Sequence, residues 1–183
     1  MTDTREAIMT VARPVAQAHG YNGLSFRDLA TAVGVKSASI HYHFPTKGDL
    51  GAALARRYGE DAKATLDSFW EESPEPATCL RKYVAVFRRA LENDNRMCLC
   101  GLLAAEYDDL PESVRIEVQA FADINTAWLT KVLAATDAAG AGKRALAIFA
   151  AIGGAQLTAR SRSDITVYDS IIESYRALGL IPA

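Results

Sequence analysis

The chain has 183 residues, half of them hydrophobic and 23% charged, with a formal net charge of −2. That composition is ordinary for a soluble globular chain of one compact domain or two small ones, and three cysteines, an odd number, argue against a disulfide framework. The polar amino terminus MTDTREAI is no signal peptide and the longest apolar stretch, ALAIFAAIGGA at 145–155, is too short to span a bilayer, so the expected location is the cytoplasm, without a membrane partner.

The charge is unevenly spread. Up to Tyr58 there are seven Lys/Arg against four Asp/Glu, and the remainder has thirteen against eighteen. All three histidines also fall in the first part. A basic head on an acidic body is a modest pointer towards a polyanion.

In chain order, nearly everything reads as helix. Ile8, Val11, Ala12 and Val15 share one helical face, which should end near His19-Gly20. Pro14 interrupts that pattern and predicts a bend or a break. Ser25 caps a short helix with Leu29, Ala30 and Val33, stopped by Gly34. Lys36 or Ser37 starts another through about Phe44, ended by Pro45. Thr46 caps the next, with Asp49 in the capping-box position, running towards Trp70. SPEP at 73–76 is a linker signal. Further helices are expected over about 77–93, 98–109, 112–136, 143–160 and 165–178, with a stop at Leu110-Pro111 and a loop in AAGAG at 138–142. The fold class is therefore all-α, with about nine helices.

The segment GVKSASIHYHFPTKGDL poses a question of chemistry. On a helix His41 and His43 point about 200° apart, so they do not share a metal ion. No Ser, Cys or carboxylate is spaced to pair with either ring as a nucleophile. The bland reading makes one histidine a surface residue and the other a helix-end cap. However, two short helices meeting at Gly34 with almost no loop form a helix-turn-helix, whose second helix enters the major groove. The expected exposed positions Lys36, Ser37, Ser39, His41, Tyr42 and His43 can all donate hydrogen bonds, while Ile40 and Phe44 should face inward.

The run from Leu24-Ser25-Phe26-Arg27-Asp28-Leu29-Ala30 through Gly34-Val35 to Tyr42-His43-Phe44-Pro45-Thr46-Lys47 resembles the DNA-binding head of the TetR family of bacterial transcriptional regulators. The resemblance covers about residues 5–52. It implies a helix-turn-helix head over 1–52 and a helical effector-binding and dimerisation domain over 53–183, connected by the helix of about 46–70. It implies phosphate contacts from Tyr42, His43 and Lys47, and base-edge contacts from Lys36, Ser37 and Ala38. Arg27 reaches a base or a phosphate from the preceding helix, and Ser25, Ser39 and His41 complete the implied DNA-contacting set. His41 departs from the tyrosine many relatives carry there, so its role is the less defined.

For the body, Ile148, Ile152, Ala155, Tyr168, Ile171, Ile172 and Tyr175 line the last two helices and are expected at a homodimer interface, the alternative being that they fill the monomer core. A dimer would read a near-palindromic double-stranded operator. An effector pocket is expected among Phe87, Leu91, Cys98, Leu102, Glu106, Tyr107, Phe121, Asn125 and Trp128. Of these Glu106, Asn125 and Trp128 are polar or polar-tipped in apolar patterns, and a buried polar group wants a partner. Cys98 and Cys100 are again two apart on a helix, so a metal site with Cys79 is not expected; a thiolate lowered by Arg96 would make Cys98 reactive.

The leading expectation is a repressor, without cofactor or metal, released from its operator by a small-molecule effector that the sequence does not identify. The alternatives are an activator, an effector-independent DNA-binding protein, or a thiol-based electrophile or redox sensor of the same family. A small helical enzyme using the cysteines is disfavoured, because no nucleophile–base pair is spaced for it.

Overall fold

The computed structural model describes residues 3–182. Among them are nine α-helices, one turn of 3-10 helix at Tyr107–Asp109, and no strand. The chain gathers into two units, the first made of Met1–Gly59 with Leu99–Phe121 and the second of Glu60–Cys98 with Ala122–Ala183. Two helices, α4 (Lys47–Glu72) and α7 (Glu112–Ala134), contribute residues to both.

In the first unit, α1 (Thr4–His19) starts where the Asp3 carboxylate accepts the Arg5 N–H. Its buried face is Ile8, Met9, Ala12 and Ala16, rotated from the expected stripe so that Val11 and Val15 are half-buried. Pro14 does not break it: helical backbone runs on both sides. A proline ring deletes one bond, to the Thr10 carbonyl, and the bonds of the neighbouring turns hold the helix together. Gly20 ends it at φ +71. Ser25 then caps α2 (Phe26–Val33), its hydroxyl accepting the Asp28 N–H. Gly34 closes α2 in the left-handed conformation that glycine adopts without penalty. After two residues the chain enters α3 (Ser37–His43). Thr46 and Asp49 form the expected reciprocal box at the start of α4: Thr46 N–H donates to Asp49 Oδ2 at 2.9 Å, and Asp49 N–H to Thr46 Oγ1 at 3.1 Å.

The expected helix over 98–109 is shorter. It is α6 (Leu99–Ala105), followed after Glu106 by the 3-10 turn. Cys98 lies just before it, and its N–H, which has no helical carbonyl to reach at this end, donates to the Gln156 side chain 3.0 Å away.

In the second unit, α5 (Pro76–Glu92) begins with proline at its first position, under a Glu75 carboxylate that accepts the Ala77 and Thr78 N–H groups. It packs against α8 (Ala141–Arg162) and α9 (Ile165–Ala177). Gln156, fully buried, ties these parts: it accepts from Cys98 N–H and donates to the Phe87 carbonyl at 2.8 Å. Tyr168 donates to the Val84 carbonyl at 2.9 Å. The Arg88 guanidinium grips both Asp169 oxygens, at 2.7 and 2.9 Å, and holds that carboxyl below its ordinary range.

Candidate nucleic-acid interface

Helix α3 is divided by burial. Ile40 is fully buried and Phe44, just after the helix, is 2% exposed, so this edge docks on the core. The opposite side is polar and open: Lys36, Ser37, His41 and Tyr42 are exposed, and Ser39 and His43 half-buried. The Ala38 methyl is also exposed. Tyr42 stands out at 83% exposed, a large aromatic ring left in water beside an imidazole edge, with the His43 ring centroid 5.1 Å away. His41 is fixed differently, edge-on to Phe26 of α2 at 4.9 Å. The Arg27 side chain extends into solvent at 90% exposure, with Asp28 3.6 Å away. Such an exposed pair is worth about 0–1 kcal/mol, too little to hold the guanidinium back from a phosphate. From Leu29 to Gly48 the sequence has no acidic residue, so nothing on the recognition helix repels phosphate.

Ser25 is half-buried and serves as the cap of α2. Lys47 is half-buried in the first turn of α4, its ammonium 4.4 Å over the Tyr21 ring. Sequence reasoning missed Tyr21, which is 7% exposed and whose phenol is pushed up by burial and by the Asp49 charge. The only sequence signal was its place after the glycine that stops α1.

The residues expected around an effector divide between the units. Leu102, Glu106, Tyr107 and Phe121 belong to the first; Phe87, Leu91, Cys98, Asn125 and Trp128 to the second. Glu106 is engaged with the head: its carboxylate accepts the Tyr21 N–H at 2.6 Å. Tyr107 is 46% exposed under the Arg115 guanidinium, and Phe121 lies 5.3 Å from Tyr58. In the second unit Asn125, 2% exposed, accepts from the Tyr83 hydroxyl at 3.0 Å. Trp128 stacks on Tyr83 at 5.5 Å, and its buried Nε1–H has no partner. Trp128 also lines an open groove of about 440 Å³ with Leu66, Ile124 and Ala127, rimmed by Lys63, Asp67, Asp123 and Lys131.

Five of the seven residues expected between two copies are buried by their own chain. Ile148, Ile152 and Tyr168 are 0% exposed, Ala155 1% and Ile172 3%; Ile171 and Tyr175 are half-buried. What α8 turns outward is another stripe: Leu146 at 60%, the exposed Ala150 and Leu157 at 52%, with the half-buried Gly153 between them. Cys79, Cys98 and Cys100 are all buried, and burial pushes the Cys79 thiol up. Arg96, expected to act on Cys98, bonds the Asp94 carboxylate at 3.2 Å. Among the described residues no three His, Cys, Asp or Glu side chains are grouped to hold a metal ion, and no helix is long and apolar enough to cross a membrane.

The fold and this interface define a helix-turn-helix DNA-binding regulator. A sequence model of bacterial regulatory proteins of the tetR family matches residues 8–54. A TetR-family transcriptional regulator from Agrobacterium tumefaciens is similar over 98% of both chains, with 32% identity and a TM-score of 0.90. A TetR transcriptional regulator from Legionella pneumophila is also 32% identical, over 93% of this chain and 94% of its own, with a TM-score of 0.87. The reduced form of NemR from E. coli shares the fold at 20% identity, over 96% of each chain, with a TM-score of 0.81. No curated protein matches the chain. The chain belongs to the TetR family of bacterial transcriptional regulators.

Proposed function

We propose that this regulator is a homodimeric repressor that grips a near-palindromic operator through α3 and lets go when a small molecule binds its helical body. The observation that carries the DNA half is the exposed donor face of α3, with Tyr42 standing 83% in solvent. In this reading Tyr42, His43 and Lys47 hold phosphates and fix the register. Lys36, Ser37 and Ala38 meet base edges, Lys36 suiting guanine O6/N7 and the Ala38 methyl a thymine methyl. Arg27, Ser39 and His41 reach the backbone or groove wall beside them.

Support for the dimer comes from α8. Leu146, Ala150, Gly153 and Leu157 follow a four-three-four spacing along one edge, exposed at all but the half-buried Gly153. A Cβ on Gly153 or Gly154 would meet nothing within 4 Å, so the chain's own packing does not require glycine there. A mid-helix glycine costs about 1 kcal/mol against alanine. Close approach of a second α8 accounts for that cost. Support for an effector comes from the apolar floor that Trp128 shares with Leu66, Ile124 and Ala127. The burial of all three thiols gives no support to a thiol sensor.

The test is binding to the DNA flanking its own gene, titrated in salt. Tight binding is expected, weakening steeply with salt. The double variant Tyr42→Phe, His43→Ala should lose affinity on every sequence while leaving the slope of log K against log salt nearly unchanged, because it removes hydrogen-bond donors rather than permanent cations. Equal affinity for scrambled DNA and no effect of the double variant would overturn the reading.

A further inference from the structure

Glu106 lies far along the chain from α3, yet it touches the head. Its carboxylate sits at the bend after α6 and accepts the Tyr21 N–H at 2.6 Å. A Cβ on Gly20 would overlap both its carboxylate oxygens, so a glycine makes room for the contact. The placement has an electrostatic cost. A negative charge beside the carboxyl end of a helix is disfavoured by the helix dipole, and α1 ends at His19. A charge-assisted bond to a backbone N–H offsets that cost.

Tyr21 in turn is wedged against α4. A Cβ on Gly51 would fall 3.0 Å from the Tyr21 ring and 3.1 Å from Val114, and one on Gly48 3.2 Å from Pro111. These two glycines therefore let Tyr21 and the segment after Glu106 lie directly on the first turns of α4. The ring so placed carries the Lys47 ammonium at 4.4 Å. A second bond follows the same path, from the Asn22 amide to Asp109 at 3.0 Å.

We propose that Glu106 is a positioning residue for DNA binding: by holding the Tyr21 backbone it sets the ring that presents Lys47 to a phosphate. This rests on the phosphate role given to Lys47 above. Lysine is a long, rotamer-rich chain, and a cation–π seat limits where its ammonium can go before DNA arrives. Removing the carboxylate frees the Tyr21 backbone, loosens the ring and leaves Lys47 without a fixed direction.

The experiment measures affinity against salt on a duplex from the DNA flanking the gene, for the full-length protein and the variants Lys47→Ala, Glu106→Ala, Glu106→Gln and Lys47→Ala with Glu106→Ala. Any mixed-sequence duplex serves as well, because phosphate contacts are sequence-independent. Lys47→Ala should lower the salt slope by about 0.9 for each head bound. Glu106→Ala should lower it by a similar amount, and the double variant no further than either. Glu106→Gln, which keeps an acceptor oxygen for the Tyr21 N–H, should stay near wild type, whereas a loss of fold would change affinity without this rescue. If Lys47→Ala flattens the slope and Glu106→Ala does not, or if the two losses simply add, the positioning role is overturned. If Gln fails as badly as Ala, it is overturned too. A wild-type slope for Lys47→Ala overturns the phosphate role of Lys47 and takes this inference with it.

Discussion

At the scale of single residues, several side chains owe their position to one neighbour. Gly20 has φ +71 and no room for a Cβ beside Glu106. Gly20→Ala should therefore destabilise the protein by about 1–3 kcal/mol, combining an unfavourable backbone region with displacement of the carboxylate; the urea midpoint reads it. Most of the exposed face of α3 was legible because each position follows from a local rule. Gly34 stops α2, Ile40 and Phe44 turn inward four residues apart, and the positions between must then face out. Glu106 was not legible. Its polarity in an apolar pattern marked it as having a partner, but that partner, the Tyr21 N–H, is 85 residues away, and no local rule reaches that far.

At the scale of elements, α8 shows where pattern reading stops. Its sequence has two usable stripes. The spacing of Ile148, Ile152 and Ala155 suits either a partner helix or the monomer core, and α5 and α9 of the same chain leave them under 2% exposed. A fully buried isoleucine contributes about 1.5–3 kcal/mol wherever it is buried. Periodicity reports that a face is covered, not by which copy. The outer stripe then makes a prediction with two signs. Gly153→Ala with Gly154→Ala should stabilise the isolated chain by about 1 kcal/mol per site through helix propensity, while weakening self-association. Leu146→Glu with Leu157→Glu should yield a folded monomer, since both leucines are more than half exposed. Sedimentation velocity and thermal melts on the same samples separate the two effects. A double-glutamate variant that stays dimeric would show that α8 associates elsewhere or not at all.

At the scale of the whole molecule, two buried phenols set an alkaline limit. Burial, above all, raises the Tyr83 and Tyr168 hydroxyls well over their ordinary value, which is about 10. An unfolded chain ionises these groups above about pH 10 while the folded one keeps its protons, so the unfolded state binds fewer protons there. Stability is then intact below that pH and declines as pH rises past it. Tyr168→Phe should soften the decline, measured as the urea midpoint across the alkaline range. A decline that is unchanged in this variant would assign the limit to other groups.

The division of the chain into its units has a consequence for synthesis. The helices α1 to α3 are made before α6, but their unit includes Leu99–Phe121. A nascent chain that has emerged only as far as about residue 60 has all of α1 to α3 and no Glu106, Asp109 or Pro111 to lean on. Its packing is therefore completed after all of α5 has been made, when the segment from α6 into α7 arrives. A transcript truncated before that segment would encode all of α1 to α3 without the Glu106 and Asp109 contacts to Tyr21 and Asn22.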